Sequence, residues 1–271
     1  MIHLYKKYHV AYWCIGIALI VCMVASMIGL MFCKTAWFVP FLVIFPTIIL
    51  VFVSASVFTK LTVNKLNNEV VTLLMNCEAN KYLSELQALF KDKAQSGIIV
   101  TIYNTMLASG YSAIDDYDSA YECIQKITAR NYQSAKSMAL IDYYISKGTI
   151  EETQNEIEKL RTLIAKMKNP KYIETCERSI KNAEYAIRIK QGNFEGAEEH
   201  YKKMMETIKP LYPISKVSYS YAIGRLLVLK GEPERAREYL QTAYDLGGDT
   251  KYKKHAEERL REIQGGKETE A

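Results

Sequence analysis

Beyond its apolar N-terminal stretch the chain holds two histidines, His200 and His255, and three cysteines, Cys77, Cys123 and Cys176. A metal site or a general base needs such side chains gathered with carboxylates at ligand spacing, and neither histidine has that company. Both sit among charged neighbours, a pattern that predicts helix surface. Cys77 falls on the inward face of its helix and Cys123 beside an inward residue. Neither has a basic partner to generate a thiolate, so core packing is expected of both. Asp115-Asp116-Tyr117-Asp118 offers carboxylates for calcium. An EF-hand loop counted from Asp116 would need Gly at its sixth place and Glu at its twelfth, and the chain has Tyr121 and Ile127 there. The same run suits a turn in which an aspartate caps the next helix. No Gly-x-Gly-x-x-Gly, Walker loop, His-Glu-x-x-His or Gly-x-Ser-x-Gly is present. The reading is of a protein that is not an enzyme, with no catalytic residue, no metal and no cofactor.

The elements that position these residues fall into two classes. Residues 10–33 carry no charge, and residues 36–59 carry none either. Each run is long enough to cross a ~30 Å hydrocarbon core as a helix, so residues 1–60 are expected to form a transmembrane hairpin in the lipid bilayer. A secretory signal peptide is the competing reading of the first run, but that run is too long and a second follows at once. Tyr12, Trp13 and Trp37 suit interfacial anchoring. No acidic residue precedes Glu69, whereas Lys6, Lys7, Lys34, Lys60 and Lys65 do. Setting those five aside leaves 30 basic against 30 acidic residues in the body, so the excess charge flanks the membrane and does not mark a nucleic-acid surface. Four of the five lysines lie outside the turn between the spans, which predicts an integral, two-pass protein with both termini cytoplasmic. Ala18, Cys22 and Ser26 put small residues at four-residue spacing, a face that packs on span two or, as a homo-oligomer seam, on a second copy. Widely spaced cysteines with no Cys-x-x-Cys predict free thiols.

From residue 61 onward apolar residues recur at three and four spacing, with Gly or Pro mainly at helix ends, which predicts an all-α body. Its clearest stretch runs from Ser220 through Ile223, Gly224 and Leu227 to Lys230-Gly231, then on to Ala236, Leu240 and Ala243. That is a helix, a break, and a second helix whose Ala236 is expected to face Gly224. Superposing it gives five copies with second-helix anchors Leu86, Ala120, Thr153, Ala197 and Ala236, spaced 34, 33, 44 and 39. Thirteen residues before each anchor comes a first-helix core pair, such as Leu107-Ala108 or Leu140-Ile141. Glu184 and Arg188 break the pattern in the copy around Ala197. Such pairs cannot bury their faces alone and need neighbours of the same kind. Lys251 to Ile263 is expected to form a capping helix with a solvated basic run, followed by a disordered tail over residues 265–271.

This spacing resembles the tetratricopeptide repeat family, helix-turn-helix units of about 34 residues with a small residue opening the second helix. The resemblance covers about residues 62–246 and implies an α-solenoid of about five helix pairs within a domain spanning 61–264. It also implies a concave groove, lined by first helices, that holds a protein or peptide partner. The groove positions would be Asn68, Thr105, Ser109, Asp142, Asn182, Lys190, Tyr221 and Arg225. The Lys and Asn set with which some members clamp a terminal carboxylate is not reproduced. The function expected is that of a membrane-anchored adaptor or scaffold, with tethering raising the partner's effective concentration at the membrane. The alternative is an accessory subunit of a larger membrane complex that works through its hairpin. The second span, free of Gly and Pro from Thr47 to Cys77, is expected to run into the first repeat as one helix.

Overall fold

The computed structural model describes residues 14, 16–18, 20, 21, 24, 28, 67–90, 97–208 and 211–268. Most of the first expected span and all of the second lie outside these residues. So does the join at residues 61–66, on which a helix continuous from span to body depends. Among the described residues no helix is long and apolar enough to cross a membrane. The chain divides into two compact units, residues 1–70 and 71–271, a boundary ten residues beyond the one the hydropathy suggests.

In the first unit, the described residues between 14 and 28 are helical, and Ile17, Ile20, Val21, Val24 and Ile28 are each exposed by 46% or more. A π-helical turn, Asn67–Val71, straddles the boundary.

The second unit is all helix, with no strand among the described residues. It contains α1 (Thr72–Met75), α2 (Ala79–Phe90), α3 (Gly97–Ala113), α4 (Tyr117–Gln125), α5 (Gln133–Lys147) and α6 (Ile150–Ile164). These are followed by α7 (Pro170–Lys190), α8 (Ala197–Thr207), α9 (Pro213–Leu229), α10 (Pro233–Leu246) and α11 (Lys251–Glu268). Neighbours in sequence pack on one another, α7 and α8 through the Tyr185–His200 stack, and α3, α5 and α7 also touch in succession. Local chemistry sets the helix starts. Asp116 caps α4 by accepting from the Ser119 amide at 3.1 Å, as its sequence suggests. Asn169 caps α7, and Pro170, Pro213 and Pro233 each open a helix, where a missing N–H costs nothing.

Four of the five turns inside helix pairs close in the same way. The amides of Cys77 and Glu78 donate to the carbonyls of Leu74 (3.0 Å) and Leu73 (2.9 Å). Asp115 and Asp116 donate to Ser112 and Tyr111, Gly192 and Asn193 to Ile189 and Arg188, and Gly231 and Glu232 to Val228 and Leu227. Each is a Schellman motif whose C′ residue is left-handed, with φ of 64°, 71°, 79° and 75° in chain order. The remaining turn, at Gly148, passes straight into a capping box between Thr149 and Glu152.

Five residues after each turn position stands a buried side chain: Tyr82, Ala120, Thr153, Ala197 and Ala236. The first anchor is therefore Tyr82 and not Leu86. Its turn is made by a cysteine, which gives no turn signal, so spacing alone lands on the next inward position one helical turn later. A Cβ on Gly224 would lie 2.6 Å from Leu240 Cγ and 3.2 Å from the Leu240 amide nitrogen. The small residue thus admits Leu240, where the sequence paired it with Ala236. In the copy that breaks the pattern, Glu184 forms an ion pair with Arg161, and Tyr185 stacks on His200 at 4.4 Å to hold α7 and α8 together.

Helix α11 packs along α10 and touches α9, as a capping helix would. It continues past Ile263 through Gly265-Gly266, where the sequence predicts a disordered tail. The loop before it returns to the start of the unit. The Asp249 amide donates to the Cys77 carbonyl at 3.1 Å, and the Asp249 carboxylate accepts from the amides of Ala79 and Asn80.

Candidate interaction surface

The residues named from the sequence fall into three groups. Thr105 and Ser109, on α3, hydrogen-bond back to carbonyls of their own helix, those of Thr101 (2.8 Å) and Thr105 (3.2 Å). Asn182, on α7, donates to the Tyr219 hydroxyl at 3.3 Å, and its amide oxygen lies 2.8 Å from His200 Nε2. It is part of the packing. Asn68 lies in the π-helical turn, and its side chain is outside the described residues.

Lys190, on the last turn of α7, and Arg225, on α9, form the second group. Partial burial, and then the nearby Arg225 guanidinium, lower the Lys190 ammonium pKa. Two like charges held together favour an anionic neighbour.

Asp142 and Tyr221 form the third group, and α11 brings them together. Lys251 is 8% exposed. Its Nζ donates to the Tyr117 hydroxyl at 2.6 Å, sits 3.4 Å from Ser112 Oγ and lies 3.7 Å from the Asp142 carboxylate. The same ammonium lies 4.8 Å from the centre of the Tyr117 ring and 5.5 Å from that of Tyr252. Burial alone would lower the Lys251 pKa. Asp142, with Tyr252 and Tyr117, outweighs burial and raises it, so the side chain stays a cation. Burial pushes the Tyr252 hydroxyl up to about 12. One turn along α11, His255 Nε2 lies 3.1 Å from the Asp115 carboxylate, and its ring is 5.8 Å from that of Tyr221. A further turn along, Arg259 lies beside Tyr221 and pairs with Glu262 at 2.6 Å.

The basic run at Lys251 is thus not a uniformly solvated face, since Lys251 is buried where Tyr117, Ser112 and Asp142 satisfy it. Sequence reasoning missed Ser112, Asp115, Tyr117, Asp249 and the inward role of Lys251. The available signal was the four-residue spacing of Lys251, His255 and Arg259, which puts all three on one stripe. His200 is a second correction. It is 6% exposed, and burial, then Lys181, bring its pKa down to about 4. One face of α8 carries Ala197, His200 and Tyr201 inward together, and its charged neighbours mask that face in the sequence.

Nothing in this arrangement activates a nucleophile. Cys77 is buried, and desolvation followed by the Asp249 carboxylate pushes its thiol up to about 11. No group of three His, Cys, Asp or Glu among the described residues could hold a metal ion. A cleft of about 510 Å³ between α6 and α7 is lined by Ile157, Glu158, Arg161, Glu184, Tyr185 and Arg188, where Arg161 is already paired with both glutamates. Asp115, Tyr117, Asp142 and Tyr221 form a face of carboxylates and rings that receives the basic side chains of α11. No family model matches the chain, and no curated protein and no solved structure is found similar to it.

Proposed function

We propose that the chain is a membrane-anchored adaptor. Its helix pairs form a TPR-like solenoid, and its first helices present a surface to a protein or peptide partner. The observation that carries this reading is the repeated turn. Residues 77, 115, 148, 192 and 231 each precede a buried second-helix residue by five positions, and the second helices opened this way fall in one register. Such a register stacks pairs side by side and leaves one face of each first helix to line a common surface. On that surface Asp142, Tyr221, Lys190 and Arg225 are polar and at least part-exposed. The exposed apolar face at Ile17, Ile20, Val21, Val24 and Ile28 supports an N-terminal helix seated in lipid. It is also what favours the second reading, an accessory subunit that works through its hairpin.

Crosslinking of the full chain in native membranes separates the two. The adaptor reading expects the captured protein to be lost on Asp142→Asn combined with Tyr221→Ala and retained on Ile20→Ala combined with Val24→Ala. The reverse outcome supports the accessory subunit. Capture indifferent to both pairs of changes sinks both readings.

A further inference from the structure

Helix α11 packs along α10 through an apolar side and covers the surface just described through polar contacts. Asp249 caps α2, Lys251 reaches Tyr117 and Asp142, and His255 reaches Asp115 and the ring of Tyr221, with Arg259 beside it. Lys251, His255 and Arg259 recur every four residues on one stripe, and beside it Ala256 and Ile263 are buried with Tyr252 and Leu260 packed against the same core. The turns beneath tell the same story. Cys77 and Asp115 are non-glycine residues held at φ 64° and 71°, a region L side chains enter only at a cost. Both lie under the C-terminal segment, one bonded to Asp249 and the other to His255. The matching turns at Gly192 and Gly231 have glycine, and a Cβ there would meet nothing within 4 Å. Strain and coverage coincide at these two turns.

We propose that α11 is a displaceable clasp: this closed form is self-occupied, and a partner helix presenting basic side chains at four-residue spacing takes the place of α11. The inference rests on the reading that this surface receives a protein. A helix with that stripe exchanges Lys251, His255 and Arg259 for equivalents and leaves no carboxylate unpaired. An apolar helix would strand Asp115 and Asp142. The joint is Gly247-Gly248, with Gly248 at φ 56°. A Cβ on Gly248 would lie 2.2 Å from the Cys77 carbonyl oxygen and 3.0 Å from Cys77 Cβ, so this loop lies directly against Cys77.

The test uses the full chain in detergent, alkylation measured separately at each cysteine, and a labelled peptide of residues 249–264. In Lys251→Gln, and in Gly248→Ala as a second route to release, alkylation of Cys77 is expected to rise by about tenfold. Cys176, buried in the α7 core, should stay protected. The peptide should bind the released chains about tenfold tighter than the native one, and adding Asp142→Asn should abolish that gain. Cys77 and Cys176 reacting together would overturn the clasp, since α11 would then be an inseparable part of the fold. Cys77 remaining protected in both variants would overturn it too, as would equal binding of a peptide with its three basic residues changed to glutamine. Equal capture of a membrane partner by the native and Lys251→Gln chains overturns the clasp and leaves the adaptor standing. Peptide exchange with no protein ever captured through this face overturns the adaptor alone.

Discussion

Asp249 caps a helix that begins 170 residues before it: its carboxylate accepts from the amides of Ala79 and Asn80 while its own amide donates to Cys77. The first turn of an isolated α2 would have to find partners for its free N–H groups in water, and Ala79 offers none from its own side chain. The last loop of the body thus completes the first helix pair.

Replacing Asp249 by alanine is expected to cost about 1–2 kcal/mol, the usual loss of a capping side chain. Asp249→Asn should retain most of that, because asparagine accepts equally well at a cap. Thermal unfolding of the two variants beside the native chain checks this. Equal destabilisation by both would mean that the carboxylate's charge, and not its hydrogen bonds, is what matters.

Gly224→Ala tests the crossing of α9 and α10. The added methyl would meet Leu240 Cγ and the Leu240 amide nitrogen, and the latter cannot rotate away. Ala236, fully buried, should reject leucine for the same reason. Each change is expected to cost about 1–3 kcal/mol by overpacking. Glu238→Gln, on the exposed side of α10, should stay within about 0.5 kcal/mol. Denaturant midpoints for the three would rule out this register if they moved together.

The helical class and the second-helix anchors at Ala120, Thr153, Ala197 and Ala236 were legible because small or apolar residues recur there at helical spacing, with Gly192 and Gly231 marking turns. The first pair was misread by one helical turn because Cys77 fills a left-handed position that glycine would have announced. Asp142 and Tyr221, named from the sequence as groove positions, meet α11. Their neighbours Asp115 and Tyr117 were not so named, since an aspartate in a turn and a tyrosine opening a helix already have ordinary local reasons to be there. The contact that unites them spans more than 130 residues, from Tyr117 to Lys251, and no local pattern encodes it.

The orientation inferred from the lysine distribution needs a probe that the fold leaves accessible. Cys123 and Cys176 are buried, so their silence toward an impermeant reagent carries no information. Glu206, exposed on α8, is a better site. Glu206→Cys is expected to react with a membrane-impermeant maleimide only after cells are permeabilised. Reaction on intact cells would place the body outside and overturn the cytoplasmic assignment.

His200 gives the body a specific acid sensitivity. Its ring lies between Tyr185 and Asn182, and burial lowers its pKa to about 4 from the ordinary value near 6.5. The unfolded chain therefore binds a proton that the folded chain refuses, in the window between those two values. Stability rises with pH wherever the unfolded state carries more protons, so this contribution is complete above about 6.5. It falls away as the pH drops toward about 4, by about 1–3 kcal/mol in all once solvent screening is allowed for. His200→Gln keeps a side chain able to hydrogen-bond Asn182 and has no proton to gain. Urea midpoints measured at pH 7.5 and 4.5 should differ more for the native chain than for His200→Gln. A variant that loses as much stability in acid as the native chain would show that the imidazole is not the group being titrated.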